Sequence, residues 1–351
     1  MATLRLENID DFTQRVLARY LRNAYVDVSL GLQKYIWGSK FFNSKKRAER
    51  GGKYLAWKLR KANQNSGKNT GPYAVDETNR VNVLLEAHEG WSHQSFNYIY
   101  DLTEDDFSSP DETLVRRIDV DEQGLTNDAV TFMESAMWSR PSSTTADPMP
   151  PSGIPHWVIK NATEGFTGTY NSDYGDVIGN VATATVPNWR NYSGDYLQVS
   201  RDDLIEKVVN ACDFCLFEAP ADFPQLDKGP PDWAFFTVHS VLATMRKILS
   251  TGNDNLGPDV ARWAGAVMIR GVPVTWVPAL TNSESEVYDS SAPFYGINFT
   301  SFEYFFKSGW SMIKRPPKQA PNQDTVRIRM MHNIGNFVCY DRRSNFVFYV
   351  A

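Results

Sequence analysis

Residues 235–280 contain the strongest local pattern in the sequence. Apolar side chains recur there at the i, i+3, i+4, i+7 spacing of a helix with one buried face, at Val238, Val241, Leu242, Met245, Ile248 and Leu249. Turn-forming residues at 251–254 end this helix, and a second short helical segment precedes an apolar, extended run at 266–269. This order of helices and strands predicts a mixed α/β core.

A strand motif follows at residues 271–278. Gly271 and Pro273 punctuate the chain, and Val272, Val274 and Trp276 then alternate as in a strand that packs more heavily on one side. The local order is therefore helix, turn, helix, strand, break and strand.

A second pattern predicts a long hairpin. Residues 53–61 alternate, with Leu55, Trp57 and Leu59 on one face, and residues 62–79 are polar before an apolar return at 81–85. A two-stranded hairpin is marginally stable alone in water, so its aromatic face needs a partner surface. That surface is either the chain's own domain or another molecule, and for an arbitrary protein the first is favoured.

Other segments carry weaker signals. Asp10 or Thr13 begins a predicted N-terminal helix, and Thr126 or Asn127 caps another at 125–139 with Ala129, Phe132, Met133, Ala136 and Met137 on one face. The Pro-rich stretch 140–153 is the best linker. Ser200 and Asp203 form a capping-box-like start of a helix to residue 217, and strands at 336–340 and 346–350 flank a turn as an antiparallel sheet.

Composition and charge narrow the class of protein. The 351 residues are 42% hydrophobic with a mean hydropathy of -0.41, which indicates a globular chain with a sizeable core. The sequence has no signal-peptide h-region and no apolar run of about 18 residues, so neither secretion nor a membrane partner is predicted.

Residues 1–70 carry 15 Lys and Arg against 5 Asp and Glu, whereas the remainder carries 21 against 36. Such a chain can present opposite charges to copies of itself.

No motif identifies a catalytic, cofactor-binding or metal site. Cys212 and Cys215 have redox-motif spacing but lie inside a predicted helix, and Cys339 is isolated. The acidic segment 101–128 is typical of a solvated face. The basic segment 40–68 suits nucleic acid or contacts between copies, and we favour the second because the whole chain is acidic. No enzyme activity and no cofactor are predicted.

The order in which several motifs follow one another along the chain is more informative than any single motif. Residues 253–257 (Asn-Asp-Asn-Leu-Gly), 271–278 (Gly-Val-Pro-Val-Thr-Trp-Val-Pro), 294–298 (Phe-Tyr-Gly-Ile-Asn) and 187–192 (Pro-Asn-Trp-Arg-Asn-Tyr) occur in an order that resembles the major capsid proteins of tailed bacteriophages. The resemblance runs from about residue 121 onward and implies the α+β Hong Kong 97-type fold. Its expected parts are an N-terminal arm (1–50), an extended loop hairpin (51–85), a peripheral domain with a spine helix (86–150 and 294–351) and an axial domain (151–293).

The resemblance also implies sites and partners. Copies would assemble into pentamers and hexamers of an icosahedral head around double-stranded DNA, in the host cytoplasm, with portal, scaffold and decoration proteins as further partners. A separate scaffold is expected because no long charged helical prefix precedes the body. The extended loop would lie across the adjacent subunit, with contacts from Tyr54, Trp57, Lys58, Arg60, Lys61 and Lys68. Gly271, Pro273 and Trp276 would be a structural motif of the axial domain. Covalent cross-linking through a lysine of the extended loop is possible in the family, and Lys53, Lys58 and Lys61 are the corresponding lysines here, although no residue shows that it happens in this chain.

Two other functions stay open at this point. An encapsulin-like compartment shares the fold and encloses cargo enzymes instead of DNA. A carbohydrate-active hydrolase would use an acidic pair with Trp platforms, since the chain has ten tryptophans.

Overall fold

The computed structural model describes residues 36–43, 45–61, 82–103, 117–141, 149–169, 177–215, 232–251, 267–280 and 291–350. The predicted N-terminal helix, the hairpin tip with Lys68 and the helical segment predicted after residue 254 lie outside these residues.

Helices and strands alternate irregularly along the described chain. The helices are α1 (Arg117–Met137), α2 (Ile154–Trp157), α3 (Glu206–Cys215) and α4 (His239–Thr251), with π-helical turns at Trp37–Phe42 and Arg201–Ile205. The strands are β1 (Lys46–Glu49), β2 (Leu55–Arg60), β3 (Leu84–Glu89), β4 (Ser92–Asp101), β5 (Gly165–Gly168), β6 (Val177–Ile178), β7 (Val181–Ala182), β8 (Asn191–Asp195), β9 (Trp233–Thr237), β10 (Met268–Ile269), β11 (Val272–Trp276), β12 (Phe294–Asn298), β13 (Phe302–Lys307), β14 (Ile313–Lys314), β15 (Lys318–Gln319), β16 (Val326–Cys339) and β17 (Phe346–Tyr349). Single 3-10 turns occur at Pro187–Trp189, Pro278–Leu280, Phe299–Ser301 and Arg342–Ser344.

The first sheet is organised around the long strand β16. It pairs antiparallel with β13, β4, β14 and β15, and β1 adds to β13 in parallel. Helix α1 covers one face, where Leu125 and Ala129 pack with Met331, Phe96 and Tyr98. Because side chains alternate along a strand, Phe96 and Tyr98 of β4 lie on the same face, under the helix.

The second sheet has the strand order β10-β11-β9-β12-β17-β8-β5. The pairs β11/β9 and β17/β8 are parallel, and the others are antiparallel. Strands β12 and β17 come from the segment 294–351 that the resemblance assigns to the peripheral domain, yet their hydrogen bonds join them to strands of 151–293. One hydrophobic core runs beneath both sheets.

The predicted motif at residues 271–276 forms the hairpin β10–β11. Arg270 and Gly271 have φ angles of 50° and 77° and make a two-residue turn, which favours glycine because both positions are left-handed. Pro273 lies exposed opposite Met268, and Trp276 packs its ring 5.0 Å from His239 of α4. The predicted helix over 238–249 is present as α4.

Three local predictions are wrong. Helix α1 begins at Arg117, so Thr126 is no cap: its Oγ1 donates to Glu122 O within the helix, where Asn127 also lies. Phe132 is 47% exposed and not part of the buried face. The Ser200 side chain makes no capping bond, because the Asp203 carboxylate instead accepts from the N–H groups of residues 197 and 198.

The predicted pairing of the two C-terminal strands is also wrong. β16 and β17 belong to different sheets, and the turn between them carries the chain from one to the other. Arg342 in that turn is fully buried and explains the change of direction. Its guanidinium donates to Trp157 O (2.6 Å), Trp189 O (2.7 Å), Gly168 O (3.0 Å) and Asn191 Oδ1 (3.0 Å). Burial lowers the pKa of Arg342 to about 10, so the side chain stays charged at neutral pH.

Replacement of Arg342 should destabilise the chain severely. Arg342→Gln supplies fewer donors on a shorter side chain and leaves buried carbonyls unsatisfied, so we expect the free energy of unfolding to fall by roughly 3–5 kcal/mol. Arg343→Gln is the matched control; Arg343 is half-buried and its bond to Asn188 Oδ1 is exposed, so a loss below about 1 kcal/mol is expected. Urea unfolding followed by circular dichroism measures both, and equal losses would contradict the role of Arg342.

Candidate intersubunit surface

The predicted hairpin is present at its base. β2 and β3 pair antiparallel from Leu55 opposite Glu89 to Arg60 opposite Leu84. The return strand begins at Leu84, three residues later than the predicted start of the apolar run. The alternation along β2 separates two faces of different character.

The inner face of the hairpin docks on the chain's own body. Leu55 is buried against Phe305 and Val338. The Trp57 ring lies 6.0 Å from the ring of Trp157 and 6.2 Å from that of Tyr340. At its base, the aromatic face therefore finds the partner surface it needs within the same molecule, and Trp57 is largely occupied by intramolecular contacts.

The outer face of the hairpin is open. Tyr54 is 45% exposed, with its ring 4.8 Å from that of His88, and Lys58 and Arg60 are exposed. Lys58 lies opposite Glu86 on the neighbouring strand, and among the described residues neither basic side chain forms an ion pair. Of the predicted contact residues, Tyr54, Lys58 and Arg60 thus share one free surface.

Lys61 belongs to a cleft beneath the hairpin. The cleft has a volume of about 500 Å³ and is bounded by the ends of β2, β3 and α3 and by the turn after β16, with Leu59, Arg60, Lys61, Leu85, Val186, Asn188, Trp189, Phe214, Cys215, Tyr340, Asp341 and Arg343 as its walls. Arg343 is held there by Asn188 and by the Phe166 ring, 3.9 Å from its Cζ. The cleft separates the outgoing hairpin from the second sheet.

A buried polar network anchors the hairpin, and sequence reasoning did not find it. Ser152 Oγ donates to Glu89 Oε1 (2.8 Å), Ser152 N donates to Asn336 Oδ1 (2.7 Å), and Asn336 Nδ2 donates to Gly90 O (2.8 Å). His156 Nε2 lies 3.8 Å from Glu89 Oε2. Although a serine, a histidine and a carboxylate meet here, Ser152 is completely buried and bonds the carboxylate directly, so it is not an accessible nucleophile. Ser152 lies in the Pro-rich linker, where no sequence pattern marks it.

The first described residues are anchored to α1 by hydrogen bonds. Trp37 and Phe41 are buried in the π-helical turn, and Glu134 of α1 accepts from Trp37 N (2.7 Å) and from Trp138 Nε1 (3.3 Å). Burial raises the pKa of Glu134 despite these bonds. The π-helical turn at Trp37–Phe42 is therefore tied to α1 through Glu134.

The cysteines are structural. Burial raises the pKa of Cys212 and of Cys339 to about 12, so both are neutral thiols at physiological pH. Within the described ranges, no group of three or more His, Cys, Asp or Glu side chains is arranged to hold a metal ion. None of the described helices is both long and apolar enough to cross a membrane.

Comparison with known proteins shows the fold. No protein-family model matches the chain, and no curated protein matches it. Among solved structures, the cyanophage A-1(L) capsid protein has a TM-score of 0.60 at 12% identity and covers 93% of this chain and 96% of its own. The capsid protein of a native GTA particle has a TM-score of 0.59 at 12% identity, over 95% and 96% of the two chains, and that of the bacteriophage PhiM1 mature capsid has 0.53 at 10% identity, over 95% and 92%. These likenesses confirm the predicted α+β capsid fold of the Hong Kong 97 type.

The two faces of β2 should respond differently to mutation. Trp57→Ala removes the contacts with Trp157 and Tyr340, so we expect a loss of roughly 1.5–3 kcal/mol in unfolding free energy and faster amide exchange along β2. Lys58→Ala, on the neighbouring outward position, should change stability by less than about 0.5 kcal/mol. Thermal unfolding and hydrogen exchange of the unassembled chain measure both. A neutral Trp57→Ala variant would show that the hairpin does not dock on its own body.

Proposed function

We propose that the chain is the major capsid protein of a tailed double-stranded DNA phage and that its copies form the pentamers and hexamers of an icosahedral head. One observation carries this proposal: the fold matches over nearly the whole length of both chains, and the three matched structures described above are capsids. A shared domain alone would leave large unmatched regions in one chain or the other. The low identities relate the folds, and the assembly function is our inference from them.

The geometry of the hairpin supports assembly. The inner face of the hairpin packs on the body of the chain, and this packing sets the direction of the hairpin. Tyr54, Lys58 and Arg60 stay exposed on the other face. Residues 1–70 are basic and the remainder of the chain is acidic. The basic part of one copy can therefore attract the acidic part of another. We propose that the outer face and the tip, including Lys68, lie across the adjacent subunit.

For the parts of the subunit we propose the predicted division with one change. The arm (1–50), the extended loop (51–85) and the axial part (151–293) are kept, and β12 and β17 are added to the axial part because they pair with its strands. The remaining residues of 86–150 and 294–351 form the peripheral part around β16 and α1. Gly271, Pro273 and Trp276 then shape an edge hairpin of the axial sheet.

The proposed location and partners follow from the same role. The chain would reside in the virion after assembly in the host cytoplasm, with a separate scaffold, a portal and decoration proteins as partners. Its role would be structural and not catalytic, because the matched structures described above are capsids. Purified particles that protect DNA from nuclease separate a phage head from an encapsulin-like compartment, which would protect a cargo protein instead.

Deletion of the hairpin tip should separate folding from assembly. Without residues 62–79 the docked strands β2 and β3 keep their inner contacts, so we expect a folded subunit with an unchanged circular dichroism spectrum that builds no stable shells. Negative-stain electron microscopy and sedimentation measure the shells.

A variant with a Gly/Ser linker of equal length in place of 62–79 is the control for chain length. It should also fold and fail to assemble if the tip's own side chains make the contact. Intact shells from both variants would contradict the proposed role of the loop.

A further inference from the structure

Strand β4 forms a long open edge of the first sheet. Its ten residues pair with β16 in one unbroken antiparallel register, and among the described residues no strand pairs with its other side. The strand contains no Lys, Arg or Pro and no bulge, the features with which soluble proteins usually protect such an edge. Other edges of the two sheets are short, charged or irregular: β1 has four residues with Lys46 and Arg47, β10 has two residues, and the register of β5 is broken.

The hydrogen bonds show which backbone groups of β4 are open. Leu102 N, directly after the strand, donates to Thr325 O (3.0 Å), so this residue faces β16. Residues of an antiparallel pair alternate between bonding their partner and pointing away from it, so the odd-numbered residues of β4 direct their N–H and C=O groups outward. These residues are His93, Ser95, Asn97, Ile99 and Asp101. Ile334, opposite His93, agrees with this phase, because its N–H donates to Trp310 O on the far side of β16.

Exposed apolar side chains surround this edge. Ile99 is 60% exposed on the face away from α1, and Leu102 is 39% exposed. Phe132 of α1 is 47% exposed, and its ring lies 5.5 Å from that of Phe96 on β4. Single exposed apolar residues are normal, whereas a group of them beside an open strand edge indicates a protein partner.

We propose that β4 pairs antiparallel with β4 of a second copy across a twofold axis, and that this contact joins neighbouring pentamers and hexamers. The inference rests on the proposed function and adds to it the contact between rings. A ring of subunits is built from head-to-tail contacts, so a further contact must join one ring to the next, and across a twofold axis both copies offer the same surface. The open edge selects a strand as its partner, because a strand matches N–H and C=O groups in turn whereas DNA phosphates only accept hydrogen bonds.

One register of this pairing uses all the outward groups. When Asn97 lies opposite Asn97 of the second copy, each outward residue faces an outward residue and exchanges two hydrogen bonds with it. The same register places His93 opposite Asp101, so an imidazole donor meets a carboxylate. Phe96 then lies opposite Tyr98, and the two rings meet under the helices. A shift by two residues in either direction leaves outward groups unpaired, so the strand is complementary to itself.

Cysteine cross-linking tests the register on the full-length chain under assembly conditions. Asn97→Cys puts two thiols opposite each other at a Cα separation of about 5.5 Å, which a disulfide spans. We expect mild oxidation to convert most subunits to linked dimers on a non-reducing gel. Ile99→Cys is the matched control: it is exposed on the same face but would lie opposite Ser95, so it should stay monomeric on the gel. The three native cysteines are buried and should add no background.

Two further substitutions of Asn97 give a second readout. Asn97→Pro removes the outward N–H on the axis and no bond to β16, whereas Asn97→Ala keeps that N–H. Circular dichroism of the unassembled chain checks that both variants fold. We expect Asn97→Ala to build shells as the unsubstituted chain does, and Asn97→Pro to stop at isolated rings in electron microscopy and sedimentation. If Asn97→Pro does not fold, the cross-linking result decides.

The outcomes separate the inference from the proposed function. Shells in which Asn97→Cys gives no dimer, or no more dimer than Ile99→Cys, overturn the inference and leave the capsid proposal intact. Coverage of the edge by residues 104–116 of the same chain, or by a different strand of a neighbour, would give this result. A linked dimer from a chain that builds no shells would support the twofold contact and contradict the capsid proposal.

Discussion

A guanidinium buried without a carboxylate holds the two sheets in their relative places. Arg342 donates to the carbonyls of Trp157, Trp189 and Gly168, which lie 185, 153 and 174 residues before it in the chain. A buried charge is tolerated only where polar groups replace its water shell, and these carbonyls do so for Arg342. Asn191 completes the arrangement: its Oδ1 accepts from Arg342 and from Ile159 N, and it lies so close to Gly168 that a Cβ there would meet it at 2.0 Å.

The turn at residues 341–345 also determines how the hairpin is supported. The turn that contains Arg342 sends β16 into the first sheet and β17 into the second, and Tyr340 at its start contacts Trp57. From the opposite side, Asn336 of β16 reaches Ser152 and Gly90 at the end of β3. The base of the hairpin therefore sits on β16 at two places. Its direction is set by the same strand that organises the first sheet.

Sequence patterns predict the parts of this molecule better than their arrangement. The helix at 239–251 and the strands at 272–276 and 92–101 bury one face each, and the spacing of their apolar side chains shows this in the sequence. The turn at Gly271 is visible in the sequence because its left-handed φ angle favours glycine. The pairing of β17 with β8 and β12 has no local signature, so the sequence at 341–345 predicts a simple hairpin that the structure does not form. Buried polar anchors such as Glu134 and Arg342 were missed for the same reason, since a charged residue looks solvated until its partners are known. The alternation in β2 showed which face was apolar, but it could not show that the apolar face docks on its own chain.

The inner face of the hairpin packs on the body and the outer face stays exposed, and this difference affects the cost of association. A flexible hairpin would lose conformational freedom on binding a neighbour, and that loss would weaken each contact. Because Leu55 and Trp57 already fix the strands on the body, the outer face is presented in a defined direction before any partner arrives. In the proposed shell, a modest polar surface around Tyr54, Lys58 and Arg60 would then be sufficient, since a closed shell repeats each contact many times and its stability comes from their number. Weak individual contacts also let a misplaced copy dissociate, whereas a large apolar patch on the same face would hold it in the wrong position.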